Sequence, residues 1–289
     1  MIEGQEGVSW GQWVALAQAC EDAGLEGLFR SDHYMSAFGD PDRDALDAWA
    51  TISALAALTE RIRLGTLVSP VTFRHAGEIA KVVATADHIS GGRVELGLGA
   101  GWNEREHEAF GFPFPELGER MDLLEKQLEH VTRQWAERSP RPVQRPRPPL
   151  IVGGTGGPRS CRLGARFADE YNTVFASVDD CAERYERVAA ACRAAGREPI
   201  LFSLMTGCIV GRDRAELEAR AGRVAARTGM AAADLLGSDR SLAGTVGEVV
   251  ARLRDYERAG VGRAFLQHLD HEDLEMVGLI GAEVVPALV

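Results

Sequence analysis

Seven short apolar runs alternate with amphipathic segments along the chain. The runs cover residues 26–33, 61–70, 93–101, 149–154, 169–176, 200–211 and 263–269. Their continuous hydrophobicity is typical of parallel strands that are buried on both faces. Segments between them, such as 10–24 and 117–137, carry apolar residues at helical spacing. The pattern predicts repeated βαβ units and therefore an α/β fold, either an open doubly wound sheet or a closed (β/α)₈ barrel.

A barrel needs one strand more than these seven, and the missing strand should come first. Only residues 1–8 precede the first predicted helix, which is too short for a strand of about five or six residues and a loop. We expect Met1 to Glu3 to be the last residues of a first strand that is shortened at its N-terminus. Such shortening would leave the edges of the neighbouring strands unpaired.

Two further segments interrupt the regular alternation. The proline- and arginine-rich stretch 137–150 is predicted to be a stiff crossover into the next strand rather than a domain linker. The stretch 228–241 is the least regular and is predicted to be a loop or lid near the site. A chain of 289 residues is compatible with one barrel domain over residues 1–289.

Composition narrows the class of partner. The formal net charge of −11 argues against nucleic acid or an anionic membrane surface as the main partner. The N-terminus lacks a basic segment followed by an apolar run, and no stretch approaches the roughly 18 apolar residues of a membrane span. The five cysteines form no CxxC pair and no metal-ligand spacing. We expect reduced, buried thiols, no metal and a cytoplasmic location.

In a parallel barrel, ligands bind at the carboxyl ends of the strands. The residues at these ends define the candidate site: Asp32 and His33; Thr66, Leu67 and Val68; Gly99, Ala100, Gly101, Trp102 and Asn103; and Gly153, Gly154, Thr155 and Gly156.

Two glycine-rich stretches are candidates for cofactor binding. The glycines at 153–157 precede a helix, where backbone N–H groups and the helix dipole favour a phosphate, although a plain tight turn is an equal alternative. They match neither the P-loop nor the dinucleotide fingerprint. Small residues at 99–101 would let a flat ring lie against the strand end, with Trp102 as a wall and Asn103 as a hydrogen-bond donor.

The histidines divide into one candidate and several weaker ones. His33 is either a structural histidine held by Asp32 or a backbone carbonyl, or a group that transfers protons near neutral pH. His75 and His107 are expected at the rim of the site, and His88, His130, His268 and His271 in structural or surface positions. The acids of 103–108 are predicted to form a solvated helical face rather than a metal site.

The motifs "FRSDH", "IRLGTLVSPVTFRH", "DHISGGRVELGLGAGWNEREHEAFGFPFPELGERMDLLE" and "PPLIVGGTGG" followed by "ARFADEYN" resemble the bacterial luciferase-like oxidoreductases, in particular their coenzyme F420-dependent branch. The resemblance runs from about Gln5 to the C-terminus, with its specific motifs between 26 and 172. It implies a TIM-type (β/α)₈ barrel that holds a flavin or deazaflavin at its carboxyl face, with the cofactor phosphate at Gly153, Gly154 and Thr155. It also implies a non-prolyl cis peptide at Leu67-Val68.

The resemblance implies an F420-dependent oxidoreductase that transfers a hydride between deazaflavin C5 and a small organic substrate, with His33 as proton donor or acceptor. Arg74, Arg159 and Arg162 are candidates to bind the acidic tail of F420. An FMN-dependent monooxygenase and a non-catalytic barrel that binds flavin or deazaflavin are the alternatives. Sugar-phosphate dehydrogenases of this branch carry a catalytic glutamate where this chain has Trp102, which favours an apolar substrate instead. Related barrels often form homodimers.

Overall fold

Within residues 1–37 and 40–288, which the computed structural model describes, the chain forms nine strands. The first five are β1 (Gly27–Arg30), β2 (Arg63–Thr66), β3 (Ser69–Pro70), β4 (Val94–Gly99) and β5 (Leu150–Gly153). The others are β6 (Glu170–Val174), β7 (Leu201–Gly211), β8 (Leu242–Thr245) and β9 (Arg263–Gln267). All seven apolar runs contain a strand, so periodicity located these elements correctly.

The helices lie between these strands and surround them. They are α1 (Trp10–Asp22), α2 (Ala48–Leu58), α3 (Ala76–Ser90), α4 (Glu104–Phe110), α5 (Leu117–Glu137), α6 (Pro158–Phe167), α7 (Val178–Ala194), α8 (Arg214–Thr228), α9 (Ala232–Gly237), α10 (Val246–Arg258) and α11 (Leu274–Leu279). A π-helical turn at Ile280–Val284 follows α11. Among the described residues, no helix combines the length and the apolar character needed to cross a membrane.

The strands are joined in the order β1-β2-β4-β5-β6-β7, and β9 pairs with the first half of β7. Every pairing is parallel. β8 pairs with the second half of β7, from Cys208 to Gly211. β3 continues beside β4 beyond the end of β2. The carboxyl ends of the barrel strands therefore meet at one face, where the candidate site was predicted.

Met1 and Ile2 connect β1 with β9. The backbone N–H of Ile2 donates to the carbonyl of Phe29 at 2.9 Å, and the ammonium of Met1 donates to the carbonyl of Leu266 at 2.9 Å. The N–H of His268 in turn donates to the carbonyl of Met1 at 2.9 Å. Residues 1–3 thus take the position of a barrel strand, as expected. A cavity of about 530 Å³ is lined by residues of β1, β9 and α1.

The structure agrees fully with the prediction for one of the two irregular segments and only in part with the prediction for the other. Residues 137–150 lead from α5 into β5 without regular structure of their own, as predicted. The stretch 228–241 contains α9, so the prediction of a loop was incomplete, and the short strand β8 just after it was missed. β8 has only four residues and alternates buried and half-buried positions, which gives too weak a pattern to recognise in the sequence.

An ion network occupies the barrel interior at the amino ends of the strands. Arg263 bonds Glu95 at 2.8 Å and Glu170 at 3.0 Å, and both carboxylates are buried. The guanidinium of Arg263 also lies over the rings of Phe29 and Phe265, at 5.0 and 4.7 Å from their centroids. Burial raises the pKa of Glu170, although Arg263 opposes this effect. The network closes the end of the barrel opposite the site.

Three glycines make room for Val68, which follows β2. A Cβ at Gly99 would lie 2.7 Å from Val68 Cγ2, and a Cβ at Gly153 would lie 3.2 Å from Val68 Cγ1. A Cβ at Gly97 would overlap the carbonyl oxygen of Thr66 and approach Val68 Cγ1 at 2.9 Å. The peptide bond between Leu67 and Val68 is cis, as the resemblance implied. The side chain of Val68 therefore covers the bare faces of β4 and β5.

The first prediction concerns Gly97. Gly97→Ala should lower the free energy of unfolding by about 1–3 kcal/mol, because the new methyl overlaps buried atoms that β2 and β4 cannot move apart to release. Gly222→Ala is the control, since Gly222 is exposed on α8 and a Cβ there meets no atom within 4 Å. Urea denaturation of both variants measures the effect. Equal stabilities would contradict the close packing around Val68.

Candidate functional site

A cavity of about 770 Å³ opens at the carboxyl ends of the strands. Ten of the predicted site residues line it: His33, Leu67, Val68, Gly99, Ala100, Gly101, Trp102, Gly153, Gly154 and Thr155. Glu3, Ser31, Asn172, Phe175 and Gln267 also line it. The structure therefore brings residues from seven of the barrel strands or their ends to one concave surface, as the sequence predicted for the carboxyl face.

Four predicted cofactor-binding residues lie outside the cavity lining and support its wall instead. Asp32 is buried and accepts hydrogen bonds from Ser69 and Arg74, each at 2.5 Å. Thr66 donates its hydroxyl hydrogen to the carbonyl of Gly97 at 3.1 Å. Both side chains thus lie behind the cavity lining, and direct cofactor contact at these two positions stays a prediction.

The other two supporting residues shape backbone segments next to the cavity. The side chain of Asn103 caps α4 by accepting a hydrogen bond from the N–H of Glu106. The N–H of Gly156 donates to the hydroxyl of Tyr171 at 3.0 Å, and the glycine packs against the side chain of Arg184. For Asn103, the cap uses the side-chain oxygen, and the predicted hydrogen bond donated to a ring stays a prediction.

His33 pairs with Glu106. Its Nδ1 lies 2.7 Å from Glu106 Oε2, and the carboxylate also accepts a hydrogen bond from the backbone N–H of Tyr34. The side chain of Glu106 is fully buried, and that of His33 is 11% exposed. The carboxylate that holds His33 is thus Glu106, and the expected partner Asp32 binds Arg74 instead.

This pairing sets the protonation of His33. Burial alone lowers the pKa of the imidazole, but the hydrogen bond and the charge of Glu106 outweigh it, so the pKa lies above its ordinary value. Because Nδ1 faces Glu106, Nε2 is the ring nitrogen that can exchange a proton with a molecule in the cavity. The arrangement is that of a general acid or base oriented by a carboxylate.

Helix α4 brings Glu106 to His33. Asn103 caps this helix, and Glu106 and His107 follow three and four residues later, so both face the barrel. His107 is also buried: its Nδ1 lies 2.7 Å from the carbonyl oxygen of Asn103 and its Nε2 2.6 Å from the hydroxyl of Thr72. The predictions of a solvated face for 103–108 and of a rim position for His107 were therefore wrong at these two residues.

Glu3 is a second carboxylate in the cavity. Its Oε1 accepts a hydrogen bond from Gln267 Nε2 at 2.7 Å, and its Oε2 accepts one from Gln5 Nε2 at 2.8 Å. The carbonyl oxygen of the Gln5 side chain in turn accepts from the hydroxyl of Ser31 at 2.5 Å. These residues form a polar floor beside His33, in which the two amide groups donate to the buried carboxylate and so satisfy it.

The glycine turn after β5 rests on Tyr171. The hydroxyl of Tyr171 accepts from the N–H of Gly156 and lies 2.8 Å from the hydroxyl of Ser160. Burial raises the pKa of Tyr171 to about 12, so this hydroxyl stays neutral. Helix α6 begins after Gly157 without a side-chain cap. The N–H groups of its first turn are therefore suited to an anion.

Three large apolar side chains form the rim of the cavity. Trp102, Leu117 and Phe175 all line it, and they are 60%, 57% and 40% exposed. Phe175 has φ of +43°, the one positive φ of a residue other than glycine among the described residues. Such a conformation costs about 1–3 kcal/mol for a residue with a Cβ. We refer to these three residues as the apolar rim.

Two of the three arginines that were candidates to bind the acidic tail of F420 form ion pairs with acidic side chains of the protein. Arg74 bonds Asp32 and Asp47, at 2.5 and 2.6 Å, and its side chain is 8% exposed. Arg159 lines the cavity but pairs with Asp122 and, at 3.6 Å, with Glu125. Arg162 is exposed on α6 outside the lining.

His268, His271 and the five cysteines lie outside the lining of the cavity. His268 and His271 are buried, and burial lowers the pKa of these imidazoles to about 4 and about 3. The five cysteines are buried and unpaired, as expected. In the part of the chain that the structure describes, no three histidine, cysteine, aspartate or glutamate side chains are grouped closely enough to hold a metal ion.

Comparison with known proteins gives this geometry a family. The profile of the luciferase-like monooxygenase family matches residues 2–263. The chain belongs to this family. The resemblance seen in the sequence is thereby confirmed, and F420-dependent dehydrogenases are among the relatives of this luciferase-like chain.

Two curated relatives and one solved structure illustrate the range. The F420-dependent glucose-6-phosphate dehydrogenase of Microbacterium testaceum is 35% identical over 171 residues, covering 53% of this chain and 49% of the relative. The FMNH₂-dependent dimethylsulfone monooxygenase of Pseudomonas putida is 28% identical and covers 71% and 59%. The monooxygenase RslO1 of Streptomyces bottropensis superposes with a TM-score of 0.83 at 23% identity, over 99% of this chain and 97% of that protein. The predicted TIM-type barrel is confirmed.

The curated relatives are matched over only part of their length and use different cofactors. The chain spans about half the length of the curated relatives it matches at 35% identity. Oxidoreductases that use F420 and oxidoreductases that use FMN are both among its relatives. The family of this luciferase-like chain is therefore established, and its cofactor is proposed below.

Sequence reasoning missed several residues of the site. Glu106 had no clear signal, because the short, charged segment 103–108 has the composition of a solvated helix face. Asn172 closes the motif "ARFADEYN" and lies in the middle of β6. Glu3 and Gln267 had no motif, since their proximity depends on closure of the barrel between residues 1–3 and β9.

The second prediction concerns the pair His33 and Glu106. Glu106→Gln should lower the pKa of His33, because the charge that favours the imidazolium is removed while burial remains. Glu108→Gln is the control, since Glu108 is exposed on the same helix. Titration of the imidazole signals by NMR measures both variants. An unchanged His33 pKa in Glu106→Gln would show that the pair does not set protonation.

The same pair links stability to pH. Because the folded pKa of His33 lies above its ordinary value of 6.5, the contribution to stability is fully present below about pH 6.5 and is lost as the pH rises through the folded pKa. Glu106→Gln should remove this part of the stability profile, and urea denaturation across this range measures it.

Proposed function

We propose that this luciferase-like protein is an F420-dependent oxidoreductase that transfers a hydride between deazaflavin C5 and a small organic substrate. The observation that supports this most is the grouping of His33, its buried partner Glu106 and the glycine turn around one cavity. The F420-dependent relatives support the choice of cofactor.

The residues present fit a flavin or deazaflavin. The cavity is deep enough for a ring system and has an apolar wall at Val68 and Trp102. At Gly154, a Cβ would lie 3.0 Å from the Ser160 hydroxyl and would overlap the Tyr171 hydroxyl, so the turn keeps a bare backbone where an anion can approach. Gly153, Gly154 and Thr155, with the first turn of α6, would hold the phosphate. Leu67, Val68 and residues 99–102 would bound the ring.

When bound, the reduced cofactor supplies a hydride and the oxidised cofactor accepts one. The protein supplies the proton. Nε2 of His33 donates it to, or accepts it from, the substrate atom that gains or loses negative charge, and Glu106 stabilises the imidazolium. The buried position of Glu106 strengthens this effect, because solvent screens it little.

FMN-dependent monooxygenation is the second candidate. It is favoured by the ion pairs of Arg74 and Arg159, which engage two of the three cations expected to bind an acidic F420 tail, and by the FMN-dependent relative. A barrel that binds cofactor without turnover is the third alternative.

The buried, unpaired thiols and the absence of a membrane-spanning helix among the described residues support our proposal of a cytoplasmic location. Homodimer formation is likewise a proposal, drawn from the resemblance.

Equilibrium binding of F420 and of FMN to the purified protein tests the proposal. Micromolar or tighter binding of F420 with much weaker binding of FMN is expected. A preference for FMN together with oxygen consumption would replace the F420 proposal by the monooxygenase, and failure of both to bind would overturn both candidates. A bound cofactor whose redox state is changed by none of the donors tested would favour the non-catalytic barrel.

The third prediction concerns catalysis by His33. His33→Gln should lower kcat by about 10²–10⁴-fold and leave the Kd of the cofactor nearly unchanged, because the imidazole acts on the reaction rather than on the phosphate or the ring. His130→Gln is the control, since His130 lies on the surface of α5 near Arg133. Steady-state kinetics with the preferred cofactor measure the effect. Wild-type kcat in His33→Gln would exclude the proton role.

The fourth prediction concerns the glycine turn. Gly154→Ala should weaken cofactor binding about ten-fold or more, because the methyl overlaps the Tyr171 hydroxyl and displaces the turn. Gly278→Ala on α11 is the control, as a Cβ there meets no atom within 4 Å. Fluorescence titration with the cofactor measures both. Unchanged affinity in a folded Gly154→Ala variant would place the phosphate elsewhere.

A further inference from the structure

The cavity separates polar and apolar groups by depth. Its floor holds His33, Glu3, Ser31, Asn172 and Gln267, which are buried or half-buried. Its apolar rim presents Trp102, Leu117 and Phe175, each exposed by 40% or more. Large apolar side chains that are exposed together around one concavity are typical of a ligand contact surface, because isolated exposed apolar residues would be scattered.

The backbone of Phe175 is an independent sign of function. This residue holds the left-handed conformation at φ +43° directly after β6, while its N–H donates to the carbonyl of Met205 at 2.9 Å. A glycine would adopt this conformation without strain. The chain instead has a bulky aromatic residue here, and its ring lines the cavity. Strain at a cavity, maintained by surrounding hydrogen bonds, is typical of a site where a side chain must be held in place.

Charge at the site disfavours an anionic substrate. The guanidinium of Arg159 is the cation at the rim, and it is paired with Asp122 and Glu125. The carboxylate of Glu3 faces the same cavity, with neutral amides as its hydrogen-bond partners. A substrate carboxylate or phosphate would therefore compete with two acids for Arg159 at the rim, and would meet repulsion from Glu3 at the floor.

The apolar rim extends to the proton carrier. The rings of Trp102 and His33 lie 5.6 Å apart, edge to face. A molecule whose apolar part contacts Trp102 can therefore place a polar atom beside His33 Nε2. That atom must accept or return one proton, which a carbonyl oxygen and the corresponding hydroxyl both do.

Resting on the oxidoreductase function proposed above, we propose that the substrate is an uncharged, largely apolar carbonyl compound or its alcohol, bound between the apolar rim and His33. In reduction, the carbonyl carbon accepts a hydride from the reduced cofactor and forms a C–H bond. The π electron pair of the C=O bond moves to the oxygen, which takes a proton from His33 Nε2 to form O–H. Oxidation of the alcohol is the reverse.

Titration of the protein with benzylacetone and with its para-carboxylated analogue tests this substrate class. The two molecules differ in charge but share the ketone and the ring. Calorimetry is performed on the protein alone and again with oxidised F420, which allows binding without turnover. Benzylacetone is expected to bind about ten-fold more tightly than the carboxylated analogue. Equal or tighter binding of the carboxylate would overturn the inference.

Variants of the apolar rim locate the binding. Trp102→Ala, Leu117→Ala and Phe175→Gly are each expected to weaken benzylacetone binding about ten-fold. Phe175→Gly should at the same time keep or raise the melting temperature, because glycine relieves the backbone strain. The controls are Trp10→Ala and Leu58→Ala, exposed residues on α1 and α2 that lie outside the cavity lining.

The outcomes separate this inference from the oxidoreductase function. Unchanged benzylacetone binding in all three rim variants would overturn the apolar substrate site. If neither F420 nor FMN binds, the oxidoreductase function fails, whereas the rim variants without cofactor still decide whether the cavity takes an apolar ketone. Reduction of benzylacetone by reduced F420, lost in His33→Gln and weakened through KM in Trp102→Ala, would support both.

Discussion

The packing of Val68 against Gly99 and Gly153 is the constraint on which the cavity depends. The methyl groups of this valine lie where side chains of β4 and β5 would otherwise stand, so these strand ends can approach the segment between β2 and β3. The chain leaving β4 then passes along the cavity through Ala100 and Gly101 before α4 begins. Because α4 starts at this place, its inner face delivers Glu106 to His33. The cavity wall and the pair of His33 and Glu106 thus both depend on the packing of Val68.

Each buried acid near the site is matched to a different kind of partner. Asp32 binds a guanidinium, which keeps its charge at all ordinary pH values. Glu3 binds amides, which carry no charge. Glu106 binds an imidazole, the side chain that titrates near neutral pH. All three arrangements satisfy a buried carboxylate, but only the third can exchange a proton with a substrate under mild conditions. Our proposal therefore assigns the proton transfer to His33.

Much of the fold could be predicted because buried parallel strands leave long apolar runs in the sequence. The partner of His33 could not, because neighbouring residues at a strand end point to opposite sides. Asp32 follows this rule and faces Arg74 and Ser69, whereas the acid that reaches His33 is 73 residues away in the chain. Helix α4 was misjudged for a related reason. A helix of seven residues that is rich in charges has the composition of a solvated helix, and only the tertiary position shows that Glu106 and His107 face inward.

The floor and the rim of the cavity differ in how firmly their backbones are held. The floor residue Asn172 lies on β6, which pairs with β5 and β7, and Gln267 lies on β9, which pairs with β7 and is hydrogen-bonded to Met1 on its other side. Rim residues follow strand ends or begin a helix, where the backbone has fewer neighbours. A substitution at Leu117 can therefore change the shape of the rim without moving the pair of His33 and Glu106, whereas Trp102 packs against the ring of His33. Our proposals thus place proton transfer and substrate selection in separate parts of the cavity, and the hydrogen bond from the N–H of the strained Phe175 to the carbonyl of Met205 ties the rim to β7.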